Sequence, residues 1–134
     1  MKPKSLLIIF MLLLASCYQV ARFDAKLCDN LEELKTTTLA LYDKLENPVE
    51  PQQMLLIEAS HIRESLSKLF NQSRSSLSRE ETAKQLSGLL RLYDKHIEDW
   101  KTTSSWSTTH KDNLKMIISE AYDILISTES IRRH

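Results

Sequence analysis

Glu58-Ala59-Ser60-His61 sets a carboxylate and an imidazole three residues apart, the spacing by which helical bundles hold paired metal ions. Such a centre needs two Glu-x-x-His pairs and two further Glu, all facing inward. This chain has one pair, and its apolar neighbours put Glu58 at the margin of a helix face and His61 on the wetter side. A solvated face is the expectation, and no metal is assigned. His96 and His110 form a second group, with Trp100 and Trp106 between them. Two imidazoles and two indoles around one connection suit a metal, a haem edge or a small organic ligand. The competing reading is a packed helix corner whose His tips reach water. Covalent haem is excluded by the lack of a Cys-x-x-Cys-His run. His-Glu-x-x-His, Gly-x-Ser-x-Gly and Gly-rich phosphate loops are also missing. The expectation is therefore a non-catalytic protein without a cofactor.

The elements that position these residues begin after an amino-terminal leader. Lys2 and Lys4 precede an unbroken apolar run of ten residues, Leu6 to Ala15. A membrane span needs about 20 such residues, whereas the hydrophobic part of a secretory signal peptide is this short. Leu14-Ala15-Ser16-Cys17 comes next. This stretch resembles the lipobox of bacterial lipoprotein precursors. The resemblance covers residues 1–17 and identifies a processing class, with no functional family for the rest. It implies that the Cys17 thiol receives a diacylglyceryl group, that cleavage removes residues 1–16, and that the new amino terminus is acylated, with palmitate the expected kind of chain. Each buried methylene contributes about 0.8 kcal/mol, so two or three chains anchor durably. Tyr18 stands where Asp would favour the inner membrane, so the resemblance implies an outer-membrane anchor facing the periplasm. Residues 17–22 are then a lipidated Cys and a short tether, and residues 23–134 one domain.

The chain after Ser16 has 118 residues, with 16 basic and 18 acidic side chains and a net charge near −2. That balance gives no footprint for nucleic acid. The whole chain holds one Gly and three Pro, too few breakers for anything but long helices. Cys28 is the only other cysteine. With Cys17 lipidated it has no intramolecular partner, which leaves a buried small hydrophobe or an intermolecular disulfide.

Four segments repeat apolar residues at alternating spacings of four and three, the helical period. The first runs from about Asp24 to Glu46 on Leu27, Leu31, Leu34, Thr38, Leu41 and Leu45. Pro48 ends it, and Pro51 opens the next at its first turn. The second, from about Gln52 to Gln72, uses Leu55, Ala59, Ile62, Leu66 and Leu69. The third opens at Ser78, with Glu81 three residues on as a capping box, and faces inward through Leu86, Leu89, Tyr93, His96 or Ile97, and Trp100. Gly88 sits inside it, where a neighbouring helix could approach closely. The fourth runs from about Thr109, paired with Asp112, to Ser130 and faces inward through Leu114, Ile117, Ala121, Ile124 and Thr128. Short turns between four such helices give an all-α, antiparallel up-down four-helix bundle with coiled-coil-like packing.

On this rotation Ile118, Tyr122 and Ile126 lie off the main stripe of the fourth helix, with Met116 nearby. An apolar strip left outside suggests a partner or self-association; the alternative is a rotation off by one residue, which would make the strip core. The expected function is protein contact in the cell envelope, in assembly, escort, exclusion or inhibition, by a protein held to the membrane through its lipid. A small-ligand, haem or metal binder using His96, Trp100, Trp106 and His110 is the alternative.

Overall fold

The computed structural model describes residues 25–132. The leader, Cys17 and the tether lie outside the described residues. The four helices are α1 (25–45), α2 (Gln52–Arg74), α3 (Glu80–Thr103) and α4 (Thr108–Arg132). A 3-10 turn, Leu77–Arg79, leads into α3. No β-strand occurs among the described residues, only an isolated parallel bridge between Glu46 and Trp106.

The side chains that cross between helices fix an up-down arrangement. Lys35 reaches Asp123 and Lys115 reaches Asp43, so α1 and α4 run antiparallel. Lys44 meets Glu58 just past the α1–α2 turn, and Thr82 of α3 meets Glu129 of α4. α1 and α3 are therefore parallel across the diagonal, and the α1–α2 and α3–α4 connections share one end. There the backbone N–H of Trp106 donates to the Leu45 carbonyl over 3.1 Å. Both connections leave their helices through non-glycine residues at positive φ, Asn47 at 47° and Ser104 at 63°. The Ser104 N–H closes the end of α3 by donating to the Trp100 carbonyl at 2.7 Å.

The core follows the expected stripes in the first three helices. Leu27, Leu31, Thr38, Leu41 and Leu45 of α1 are buried, as is Tyr42, while Leu34 is half-buried. All five expected residues of α2 are buried. In α3 both His96 and Ile97 turn inward, along with Leu86, Leu89, Tyr93 and Trp100. Cys28 is also buried.

Helix α4 corrects the expectation. Its core residues are Ile118, Tyr122, Leu125 and Glu129, each 0% exposed, one position on from the stripe read in the sequence. Ile126 is half-buried against the core. Ile118 and Tyr122 are therefore not surface residues. Ile117 and Ile124, expected inside, are 45% and 55% exposed. Both stripes have helical spacing, and periodicity cannot choose between two apolar faces. Polar partners choose: the Tyr122 hydroxyl lies 2.8 Å from Thr38 Oγ1, and Thr82 Oγ1 donates to Glu129. A buried carboxylate is costly unless it is compensated. Arg79, the other buried charged residue of this end, opens the same face of α3 three residues before Thr82.

Three local expectations also change. The Ser78–Glu81 capping box does not form: α3 has Arg79 at its N-cap with no side-chain cap, and Ser78 Oγ pairs with Ser76 Oγ at 3.0 Å. The 3-10 turn takes up the residues the box would have used. At α4 the cap is Ser107 instead of Thr109 with Asp112, its Oγ accepting from the His110 N–H at 3.1 Å. Pro51 is the N-cap of α2, one residue before the first turn. Finally, Gly88 is exposed, and an added Cβ would have nothing within 4 Å. No helix of this bundle uses the space it leaves.

Gly88→Ala is therefore expected to stabilise the fold by about 1 kcal/mol, the helix-propensity difference, read from the urea midpoint. Thr82→Val keeps the shape but removes the hydroxyl that donates to Glu129. It should cost about 1.5–3 kcal/mol, the worth of a hydrogen bond to a charged group.

Candidate functional site

The His–Trp group assembles where the two connections meet, and the residue that gathers it is Tyr42 of α1. His96 reaches it from α3 across the diagonal of the bundle, with Nδ1 2.8 Å from the tyrosine hydroxyl. The rings meet edge to face at a centroid distance of 5.7 Å. Trp106 packs on the other side of Tyr42, also edge to face, at 5.1 Å. His110, at the start of α4, meets Trp106 at 5.9 Å. Asp99 ties the outer half together: Oδ2 accepts from the Trp106 indole N–H at 3.0 Å and lies 2.8 Å from His110 Nε2. Tyr42, His96, Trp100 and Trp106 are buried, and His110 is exposed.

The sequence located His96, Trp100, Trp106 and His110 at one end of the bundle, and three of the four meet around Tyr42 and Asp99. Trp100 is buried in the core, and its indole N–H finds no acceptor among the described residues. Tyr42 and Asp99 were not singled out. Tyr42 stands four residues after Thr38 and three before Leu45, so its burial was readable from helical spacing; its diagonal partner was not. Asp99 carries no sequence signal, because it is an exposed acid on a polar helix face until a loop indole folds onto it.

Electrostatics make the inner half neutral. Burial pulls the His96 pKa down from its usual 6.5 to about 4 and outweighs the opposing pull of Asp99. Burial likewise pushes the Tyr42 hydroxyl well above its ordinary range, with Tyr93 and Tyr122 adding to the shift. Tyr42 thus keeps its proton, and its contact with Nδ1 joins two neutral groups, with the tautomer of His96 setting which one donates. Around this neutral centre lies a charged collar. Glu46, just past α1, accepts from Lys111 at 2.7 Å and from the Thr108 hydroxyl. Lys111 first and then Thr108 hold its carboxyl below the usual range.

The chemistry this arrangement supports is limited. Among the described residues no group of three His, Cys, Asp or Glu is placed to hold a metal ion. His61 and Glu58 lie outside this cluster. They line an open groove of about 640 Å³ between α1 and α2, floored by Leu27, Leu34, Leu41, Ile62 and Leu69. Glu58 is engaged by Lys44 at 3.1 Å. No helix among the described residues is long and apolar enough to cross a membrane. Comparison with family models, curated proteins and solved structures gives no significant match, so function is argued from the side chains alone.

The pH dependence of stability has a defined sign. His96 binds a proton more weakly folded than unfolded, so stability is intact above pH 6.5 and falls as the pH drops toward 4. At about 1.4 kcal/mol per unit the loss approaches 3 kcal/mol. Urea titrations between pH 7 and pH 5.5, above most of the carboxylate titration, should show this slope, and His96→Gln should flatten it. Tyr42→Phe should cost about 1–3 kcal/mol at pH 7, the penalty for leaving the buried imidazole nitrogen without its partner.

Proposed function

We propose that the chain is a bacterial envelope lipoprotein, anchored through Cys17, whose helical domain works by binding another envelope protein instead of by catalysis. Assembly, escort, exclusion and inhibition are the roles that suit such a domain. The anchor rests on Leu14-Ala15-Ser16-Cys17 and the leader before it, and Tyr18 favours the outer membrane with the domain in the periplasm.

The observation that carries the contact role is the outer face of α4. Leu114, Ile117, Ala121, Ile124, Thr128 and Ile131 follow one another at alternating spacings of three and four, the seam of a coiled coil. Ile117, Ile124 and Ile131 are 45%, 55% and 73% exposed, and Met116 beside them is 65% exposed. Leu114 and Ala121 are half-buried against the bundle core, while the isoleucines of the seam stand outside it. An uncharged aliphatic ridge on a single domain marks a partner surface. The contact residues are therefore Ile117 and Ile124, in place of Ile118, Tyr122 and Ile126. A partner helix, from another envelope protein or from a second copy, is what such a seam accepts.

The alternative, a ligand held by His96, Trp100, Trp106 and His110, draws on the buried Trp100 N–H, which meets no acceptor among the described residues. Tyr42 occupies the space between His96 and Trp106, which weighs against it. A ligand-induced change in tryptophan fluorescence that disappears in His96→Ala would favour it.

A photo-crosslinking residue placed at Ile124 in cells tests the main reading. A specific envelope protein, or a second copy, should be captured from Ile124 but not from Glu64 on the exposed face of α2, and only when Cys17 is intact. Equal capture from both positions, or none, would overturn it. Ile124→Asp should abolish capture while changing stability by no more than about 0.5 kcal/mol, as expected of an exposed site. Tyr122→Asp should unfold the domain. The anchor fails separately if Cys17→Ala still carries labelled fatty acid.

A further inference from the structure

The two ends of the bundle are built differently. One carries the stitched connections, Tyr42, His96 and the charged collar. The other carries the start of α1, the α2–α3 turn and the end of α4. At this second end Leu77 is fully exposed on the tip of the 3-10 turn, and Ile131 is 73% exposed in the last turn of α4. The turn that presents Leu77 is held in shape. Ser75 Oγ donates to the Gln72 carbonyl at 2.9 Å, Ser76 and Ser78 pair through their hydroxyls, and Arg79 is buried behind them. Leu77 is thus presented outward by an ordered turn. Arg74 lies 5.6 Å over the Phe70 ring beside it, and Lys26 stands exposed at the start of α1. Arg132 and Arg133 follow Ile131 in the sequence. Asp29, Glu80 and Glu81 also belong to this end, so it offers inserted aliphatic side chains with a few cations, not a strongly basic surface.

The chain's own connectivity says what covers this end. Residue 25 opens α1 here, and Cys17 is eight positions earlier. At no more than about 3.6 Å per residue, a lipid on Cys17 keeps this end within about 30 Å of the membrane.

We propose that the α2–α3 turn end of the bundle rests on the lipid bilayer, with Leu77 and Ile131 entering the headgroup region. This rests on the lipoprotein reading and adds an orientation to it. The bundle stands upright on its anchored end, and α2, α3 and α4, of 23 to 25 residues, carry the His96–Trp106 end about 35 Å away. The outer seam of α4 then runs up from the membrane and faces sideways, toward partners held in the same bilayer. Leucine at an interface contributes through buried apolar area, and the cations contribute through phosphate contact.

The test uses full-length, acylated protein with Cys28→Ala and a single new thiol at Leu77→Cys or, at the opposite end, Val49→Cys. Both sites are fully exposed, so neither label disturbs the core. Each thiol carries an environment-sensitive fluorophore, and the protein is bound to phosphatidylethanolamine–phosphatidylglycerol vesicles containing a spin-labelled lipid. The expected result is a blue shift and severalfold stronger quenching at position 77 than at 49. Equal quenching at both positions, with the protein still floating with the vesicles, would overturn the orientation alone. Loss of flotation despite intact protein would instead overturn the anchor, and the orientation with it.

Discussion

The Tyr42 hydroxyl against His96 is the contact on which the arrangement of the bundle depends. It joins α1 to α3 across the diagonal, two helices that share no turn. Trp106 closes over the same tyrosine and brings the α3–α4 connection down onto the end of α1, where its backbone N–H meets the Leu45 carbonyl. One ring therefore registers three parts of the chain. Because both partners are buried and neutral, the contact adds no buried charge, and it binds stability to the protonation of a single imidazole.

The same device recurs with different partners. Tyr93 donates to the Ala59 carbonyl at 2.6 Å and registers α3 on α2, while Tyr122 meets Thr38 and registers α4 on α1. Leucine stripes make the helices associate, but they tolerate rotation and sliding at modest cost. A buried hydroxyl does not, since losing its partner exposes the whole desolvation penalty. Three tyrosines, with Thr82 and Glu129 at the far end, turn an aliphatic bundle into one with a single register.

This polar registration also bears on function. It commits Ile118, Tyr122 and Leu125 to the core and so leaves the second apolar face of α4 outside. A helix apolar on two sides is wasteful in an isolated bundle but suited to one that joins a larger assembly. Of the His and Trp residues, His96 spends Nδ1 on Tyr42, while His110 Nε2 and the Trp106 indole N–H both meet Asp99.

Much of the architecture was legible from spacing. The stripes of α1, α2 and α3, the turn at Pro48, and the placing of His96 and His110 toward one end of the bundle follow from helical period and connectivity, because a 3.6-residue repeat needs only local geometry. The leader and its Cys17 were likewise read from local pattern and belong to the chain outside the described residues. The tertiary structure alone decided which apolar face of α4 is inside, because two faces of similar hydropathy differ only in the partners they find on α1 and α3. It alone decided that Ser107 and not Thr109 caps α4, and that Tyr42 stands between the two tryptophan-bearing elements. Each of these depends on a contact between residues more than forty positions apart or on the path of a loop, and periodicity along one helix carries no record of either.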